Sequence, residues 1–302
     1  MAKSYVLFGI DTETDCGSNT PFHNMVKPGT EAILDVYAKH NVKGTFFVTG
    51  ECAKVCPDAV KMILDTGNEV GVHSLYHETV GEEMYQVPGV KPLLPQEVPL
   101  RVKVATDWVE EVSGQKAVSW RCPRLWGSTH VCNALEDLGY KVDATYPMYY
   151  FREQFAPYHP SREDWTKKGD MNLLEIPNFA DMTMKSKDPV FERDRDQWPL
   201  FRLKGADYLF QRILSFEKFV DEQNIPAVLC FYFHPWEFVE CKRYNTFGEG
   251  GVWIRDFFIG KTGEVARREF DKLCGLLLGG DRERVFMRMD EFADEWNKKK
   301  GN

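Results

Sequence analysis

The chain alternates between two patterns of hydrophobic and polar residues. Short apolar runs rich in β-branched and aromatic residues, such as 5–10 and 227–233, are typical of buried strands of a parallel sheet. Between such runs lie longer segments in which apolar residues recur every three or four positions, as in 207–223, and this spacing predicts amphipathic helices. The alternation of strands and helices predicts an α/β protein built on a parallel sheet.

Turn-forming and capping residues set the boundaries of these elements. The predicted strands are 4–15, 45–49, 70–73, 117–121, 141–145, 173–177, 227–233 and 285–287. The predicted helices are one that starts at 28–30 with Thr30 as its N-cap, then 57–66, 99–113, 128–138, 207–223 and 264–278, and a closing helix that ends at Trp296. Three glycines within 246–251 predict a loop there.

The first strand ends in alternating carboxylates. The apolar run 5–10 leads directly into Asp11 and Glu13, which an extended chain places on the same side. Enzymes built on parallel sheets carry their chemistry at this carboxyl end, where two carboxylates can serve as a metal ligand and a general base. The alternative is a solvated acidic loop, which is common at strand ends of an acidic protein.

A second strand end carries two histidines. His73 and His77 follow the apolar run 70–72, and their i, i+4 spacing places them one helical turn apart if the segment is helical. Both imidazoles can then face one ligand, and two of them supply most of a catalytic zinc site. Taken alone, the pair is better explained as two hydrogen-bonded loop residues.

Together with three further segments, these strand ends form an ordered series of motifs. The series is Asp11-x-Glu13, Gly44-Thr45-Phe46-Phe47-Val48, His73-Ser74-x-x-His77, Arg121-Cys122-Pro123 and Phe233-His234-Pro235-Trp236-Glu237. In order and spacing it resembles the motifs of NodB-type polysaccharide deacetylases, the family 4 carbohydrate esterases. The His-Pro-Trp-Glu segment is most similar to the subgroup associated with exopolysaccharide biosynthesis.

The resemblance implies a fold and a cofactor. The implied fold is a distorted, incomplete (β/α) barrel, here expected as a single catalytic domain over residues 1–302. The implied cofactor is a divalent metal bound by Glu13, His73 and His77, with Zn²⁺ favoured and Co²⁺, Ni²⁺ or Mn²⁺ as alternatives.

It also implies three catalytic roles. Asp11 corresponds to the general base, and Arg121 to the arginine that pairs with this base. His234 corresponds to the general acid that protonates the leaving amine. An ordinary ion pair for Arg121 and a buried histidine before a turn for His234 are the alternatives.

The chain departs from the family pattern at three points. Glu13 stands where many members have aspartate, which moves the carboxylate outward by one methylene. Arg124 and Trp126 follow the Arg-x-Pro motif in place of the usual tyrosine and glycine, so we expect both to affect substrate fit. No Asp-Trp motif that would tune His234 is present, and Asp181 or Asp143 is proposed for that role.

Two insertions interrupt the helix–strand alternation. The segment 81–97 contains Pro88, Pro92 and Pro95, which predict a loop over the barrel mouth. The segment 146–171 is a long irregular stretch with an aromatic set suited to sugar faces, although packing over the barrel explains it equally well. That set is Tyr146, Tyr149, Tyr150, His159 and Trp165.

Two further residues are expected at the substrate. Trp236 lies next to the predicted general acid, where it serves as pocket wall or core. A backbone amide near Thr14 is expected to stabilise the negative charge that develops on the carbonyl oxygen.

The amino-acid composition limits which binding partners and which cellular compartment we expect. The 302 residues carry 46 acidic and 38 basic side chains, a net charge of −8, without a long basic run, so nucleic acid is not an expected partner. No signal peptide or transmembrane stretch is visible, and the eight cysteines lack a disulfide or zinc framework. We therefore expect a cytoplasmic protein with reduced thiols, and the sequence leaves its oligomeric state open.

These features predict a metal-dependent hydrolase that removes an N-acetyl group from an amino sugar. Without an export signal, a lipid-linked or nucleotide-linked precursor fits better than a cell-wall polymer. One alternative is a cyclic amide hydrolase of the allantoinase or cyclic imidase kind. The other is a catalytically silent sugar-binding protein, which would follow if Glu13 failed to complete the metal site.

Overall fold

The computed structural model describes residues 3–17, 19–87, 89–188 and 190–300. Residues 299 and 300 are described by their backbone alone. The strands are β1 (Ser4–Thr12), β2 (Thr45–Val48), β3 (Glu69–Val72), β4 (Ser119–Trp120), β5 (Val142–Asp143), β6 (Leu174–Glu175), β7 (Ala227–Phe233), β8 (Tyr244–Phe247), β9 (Gly250–Trp253) and β10 (Arg284–Phe286). The helices are α1 (Val26–His40), α2 (Gly50–Val55), α3 (Pro57–Asp65), α4 (Val98–Ser113), α5 (Thr129–Leu138), α6 (Met148–Phe151), α7 (Leu200–Leu203), α8 (Ala206–Glu222), α9 (Asp256–Ile259), α10 (Glu264–Leu278) and α11 (Met289–Lys300). Pro88 lies outside the described residues.

Eight of these strands form one curled parallel sheet around β1. On one side β1 pairs with β7 along seven residues, and on the other with β10 at its start and β2 at its end. From β2 the sheet continues through β3, β4, β5 and β6. Beyond β6, the N–H of Phe179 donates to the carbonyl of Cys230 in β7 at 2.7 Å, so the curl nearly closes. The predicted distorted, incomplete barrel is confirmed.

Alternation along β1 divides the core in two. Val6, Phe8 and Ile10 pack under the outer helices, whereas Tyr5 and Leu7 face the barrel interior. Helix α11 covers the amino-terminal end of this interior. At the start of this helix, the N–H of Met289 donates to Thr45, the first residue of β2. The barrel is therefore closed at one end, and its carboxyl-terminal edge is left for the functional site.

Several predicted boundaries were wrong for local reasons. Helix α1 begins at Val26 and encloses Thr30, which is buried inside the helix instead of capping it. Asp15 accepts hydrogen bonds from the N–H groups of Asn24 and Met25, just before that helix. Helix α2, capped by Thr49, was not predicted, and β8 and β9 form a hairpin where a loop was expected.

The 146–171 insertion packs against the barrel. Tyr146 is fully buried and Trp165 is 4% exposed. Their ring centroids lie 5.9 Å apart, and Phe151 and Tyr158 complete the aromatic cluster. Packing, the second of the two explanations offered for this segment, therefore accounts for the aromatic residues. In the described part of the chain, no helix combines the length and apolarity needed to cross a bilayer.

Candidate active site

The predicted site residues meet at the carboxyl-terminal edge of the barrel. Asp11 lies near the end of β1 with Glu13 just after it, while His73, Arg121 and His234 follow β3, β4 and β7. Carboxyl ends of parallel strands share one edge, so residues far apart in sequence become neighbours. The carboxylates and imidazoles among them open into a cavity of about 590 Å³.

Aromatic and arginine side chains form most of the remaining cavity wall. They are Tyr85, Arg124, Phe191, Arg193, Trp198, Tyr232, Trp236, Arg255, Phe257 and Phe258. Tyr85, from the 81–97 segment, agrees with the expectation that this loop lies over the barrel mouth.

Glu13, His73 and His77 form a candidate metal centre. The Nε2 atoms of His73 and His77 lie 3.6 and 2.5 Å from Oε2 of Glu13. The Nδ1–H of His73 donates to the carbonyl of Arg121 at 2.8 Å, which leaves its Nε2 lone pair for a cation. All three ligand atoms lie within 4.8 Å of one another. Two imidazoles and one carboxylate are a donor set of catalytic zinc sites, so these residues fit a divalent metal.

The electrostatics of this cluster favour the protonation states that metal ligands need. Burial opposes the ionisation of Glu13, but the charge of His77 and hydrogen bonds from His73 and His77 outweigh it, so its pKa lies well below the usual value. Burial also lowers the pKa of His77, despite the nearby Glu13 carboxylate. At neutral pH the site therefore holds an ionised carboxylate beside a neutral imidazole.

The two histidines do not lie on a helical turn, which corrects the sequence prediction. Residues 73–77 form an irregular loop in which Ser74 and His77 have φ of 64° and 58°. The carbonyl of Ser74 accepts from the N–H of Gly50 at 3.0 Å, and Tyr76 N–H donates to Glu78 at 2.6 Å. These bonds hold a left-handed backbone that brings both imidazoles to Glu13.

Asp11 is held by a buried arginine. Nη1 of Arg121 donates to Oδ1 of Asp11 at 2.8 Å, and its other donors bond the carbonyls of Ala144 and Phe231. Burial opposes the charge on Arg121, but Asp11 raises the pKa of this guanidinium above its ordinary value. A Cβ at Gly9 would lie 2.2 Å from Nη1, so glycine is required where the guanidinium crosses the barrel.

His234 has an acidic partner that the sequence analysis missed. Its Nδ1 lies 2.9 Å from Oε1 of Glu237, and its Nε2 lies 3.9 Å from Oε1 of Glu13. The carboxylate of Glu237 also accepts from Arg202 Nε at 2.5 Å and from Trp198 Nε1 at 2.9 Å. Burial would lower the pKa of His234, but the hydrogen bond to Glu237 and the surrounding carboxylates raise it. The pair is therefore arranged to keep His234 protonated and its Nε2–H directed into the cavity.

Glu237 replaces the two aspartates suggested for this role. Asp181 pairs with Arg212 at 3.2 Å. Asp143 is hydrogen-bonded to Thr145 and Cys132. Neither contacts His234. The short 3₁₀ helix Pro235–Phe238 returns Glu237 to the imidazole three residues earlier, and the His-Pro-Trp-Glu motif already contained this signal.

The predicted substrate-binding residues divide into two groups. Arg124 and Trp236 line the cavity, and the Trp236 ring stacks on His234 with centroids 4.9 Å apart. Trp126, Tyr146 and Trp165 are buried and do not line it, because their rings serve the core. Thr14 is also absent from the wall.

The segment that covers the cavity was not predicted from the sequence. Phe191, Arg193 and Trp198 come from the stretch between β6 and α8, where the sequence predicts no strand and carries no recognised motif. Arg255 and Phe257 come from the start of helix α9, which follows the β8–β9 hairpin. Only folding brings these side chains over the strand ends.

Fold and site together define a half-barrel with a candidate metal centre at its carboxyl-terminal edge, the class expected for a hydrolase. The family model for polysaccharide deacetylases matches residues 17–142, which confirms the family resemblance deduced from the motifs. The narrower assignment to the exopolysaccharide subgroup stays a prediction.

Curated relatives match over limited segments. The Bacillus subtilis peptidoglycan-N-acetylmuramic acid deacetylase PdaA is 37% identical over 75 residues, and the match covers 20% of this chain and 28% of the relative. An uncharacterised 30.6 kDa protein of Geobacillus stearothermophilus is 34% identical over 113 residues, 37% of this chain and 39% of its own. A Sinorhizobium fredii chitooligosaccharide deacetylase is 42% identical over 48 residues, 16% of this chain and 22% of the relative. The matches thus span well under half of each relative.

Solved structures match along almost the whole chain. A Mycobacterium smegmatis protein assigned to the polysaccharide deacetylases superposes with a TM-score of 0.61 at 17% identity, covering 98% of this chain and 91% of the other. The allantoinase PuuE superposes with a TM-score of 0.59 at 15% identity, and the match covers 98% of this chain and 90% of the allantoinase. At these identities the similarity concerns the fold.

Proposed function

We propose that this chain is a metal-dependent amide hydrolase that removes an N-acetyl group from an amino sugar in a glycan or glycan precursor. The observation that carries the proposal is the arrangement around Glu13. A metal-type donor set lies between a carboxylate held by Arg121 and an imidazole held by Glu237. The names of the curated relatives, which refer to deacetylation of peptidoglycan and chitooligosaccharides, support this choice of substrate.

Each residue has a part in the hydrolysis of the amide. A divalent cation held by Glu13, His73 and His77, most simply Zn²⁺, would supply Lewis acidity and an acidified water. Asp11 faces the cavity and accepts the proton of the attacking water, while Arg121 fixes its orientation.

On the other side of the cavity, His234 donates the Nε2 proton to the departing amine. Glu237 holds the Nδ1–H and favours the protonated imidazole. Attack by water and protonation of the amine together release acetate and a free amino sugar.

The direct test combines metal analysis with acetate release. Purified protein should contain about one divalent metal per chain and release acetate from N-acetyl hexosamine conjugates, but should not open ring amides. Ring opening without acetate release would favour the cyclic amide hydrolase. A metal-loaded protein inactive on both panels would contradict the proposed reaction and favour a sugar-binding role.

A separate prediction concerns the role of Glu237. Glu237→Gln should lower the pKa of His234, because the carboxylate that favours the imidazolium is removed. The general acid is active when protonated, so the alkaline limb of the pH–kcat profile should move to lower pH. At neutral pH the loss in kcat should stay within the roughly 10²–10⁴-fold attributed to general acid catalysis.

Glu217→Gln is the matched control for that variant. Glu217 is a buried carboxylate paired with Arg284 at 2.7 Å, away from the cavity. Glu237 is likewise paired with a buried arginine, Arg202, but it also contacts the cavity residue His234. Both substitutions weaken a buried ion pair, but only Glu237→Gln should move the pH profile. An unchanged alkaline limb in Glu237→Gln would contradict the role assigned to this residue.

A further inference from the structure

The cavity wall contains arginines without acidic partners. Among the residues that the structure describes, no carboxylate lies within 4.0 Å of the guanidinium nitrogens of Arg124, Arg193 or Arg255, although most other arginines form such pairs. Arg255 is exposed at the rim, whereas Arg124 and Arg193 are partly buried. Buried guanidinium groups normally have a counter-ion, because desolvation of an unpaired charge is costly.

Arg193 is the clearest example of a guanidinium group without a close carboxylate. Its Nη1 donates to the phenol oxygen of Tyr85, and the phenols of Tyr149 and Tyr232 are also near it. Asp196 acts on the guanidinium from beyond ion-pair distance, and its carboxylate accepts a hydrogen bond from the hydroxyl of Tyr232. The guanidinium therefore borders the cavity beside phenol hydroxyl groups, with no carboxylate of the described residues within 4.0 Å.

The backbone around Arg193 is held in place by a carboxylate. Asp188 accepts hydrogen bonds from the N–H groups of Val190, Phe191 and Arg193, at 3.0 to 3.2 Å. This carboxylate is thus used to hold the segment, and does not pair with the Arg193 side chain. The result is a positioned cation on the covering segment of the cavity.

Arg193 is also close to the reacting side of the cavity. Tyr232, one of its phenol neighbours, has its ring centroid 6.1 Å from that of His234. Arg124 lies beside the candidate metal centre, where its Nη1 donates to the carbonyl of His77 at 3.2 Å. The catalytic carboxylates Asp11 and Glu13 already have partners, Arg121 and His77.

We infer that the substrate carries an anionic group, a carboxylate or a phosphate, in addition to its N-acetyl group, and that Arg193 binds this anion. The inference rests on the proposed function and deepens it by defining the class of amino sugar. A planar guanidinium can bind either oxyanion through two parallel hydrogen bonds, and the anion supplies the close counter-charge that the Arg193 side chain lacks.

The test compares matched neutral and anionic substrates. N-acetylglucosamine oligosaccharides are the neutral reference, N-acetylmuramic acid oligosaccharides add a carboxylate, and N-acetylglucosamine 1-phosphate adds a phosphate. Wild-type protein should prefer one anionic substrate, and Arg193→Gln should lower the anionic-to-neutral ratio of kcat/KM by roughly 10- to 100-fold, as expected for hydrogen bonds to a charged group. The substrate whose ratio falls identifies the anion as carboxylate or phosphate.

Arg195→Gln is the matched control. Arg195 lies two residues along the same segment but pairs with Glu192 at 2.6 Å and does not line the cavity, so its loss should leave the ratio unchanged. Arg193→Gln should also keep the wild-type melting temperature, because it removes an unpaired charge and no ion pair. A ratio that is equal in wild type and Arg193→Gln would overturn the inference while leaving the deacetylase proposal intact.

Calorimetry measures the binding affinity of the same compounds without requiring turnover. Arg193-dependent binding of an anionic compound without any acetate release would reject the proposed reaction but keep the anion site. Binding that is equally weak in wild type and in Arg193→Gln would overturn the anion site whether or not acetate is released.

Discussion

Asp11→Asn should abolish most turnover while the metal content per chain stays at the wild-type value. Removal of a general base costs roughly 10²–10⁴-fold in rate, because amide oxygen is a poor proton acceptor at neutral pH. The asparagine side-chain oxygen can still accept the hydrogen bond that Arg121 donates at 2.8 Å, so the local geometry is retained. Acetate release and metal content, measured on the same sample, check both parts of the prediction.

A control is needed because Asp11→Asn also leaves Arg121 as a buried cation without a carboxylate. Asp181→Asn removes a similar Asp–Arg pair, with Arg212 at 3.2 Å, away from the cavity. Both variants should lose some stability, but only Asp11→Asn should lose turnover. Normal acetate release by Asp11→Asn would reject its assignment as the base.

His73→Ala should lower metal affinity, and activity should fall with it. The variant keeps only one imidazole and one carboxylate, and the loss should exceed the roughly 10–100-fold that removal of an outer-shell partner of a metal ligand causes. Metal content after dialysis, and the concentration of added Zn²⁺ that restores acetate release, measure the effect.

His159→Ala is the control for that experiment. Like His73, His159 bonds a backbone carbonyl through Nδ1, that of Leu173 at 3.0 Å, but it does not line the cavity. Its loss should leave the metal-to-protein ratio unchanged. If His73→Ala retained wild-type metal content, the ligand role of His73 would be excluded.

Much of the architecture was predictable from local sequence signals. Strand β7 and helix α10 have the predicted bounds, because a continuous apolar run and a helical repeat are patterns that tertiary packing seldom overrides. The paired carboxylates and histidines were also placed correctly at strand ends. Where a prediction failed, as at the start of α1, a contact within the preceding loop was involved: the Asp15 carboxylate accepts from the N–H groups of Asn24 and Met25, nine and ten residues later.

The distinction between cavity and core could not be predicted from residue type. Trp165 and Trp198 are both large aromatic residues in irregular segments, yet Trp165 packs on Tyr146 and Trp198 lines the cavity. Nothing in the local sequence distinguishes them, because exposure to the cavity depends on how each segment crosses the barrel. Arg193 was overlooked for the same reason.

Hydrophobic periodicity and motif spacing are local properties of the chain, so the half-barrel and the residues at its strand ends were predictable from the amino-acid sequence. Which groups face one another follows from the folded arrangement. It placed Glu237 on His234, set Arg121 across Gly9 against Asp11, and left Arg193 in the cavity wall without an acidic partner. Hydrogen bonds and counter-charges act over a few ångströms, and those distances exist only once the sheet has curled and its covering segments have packed.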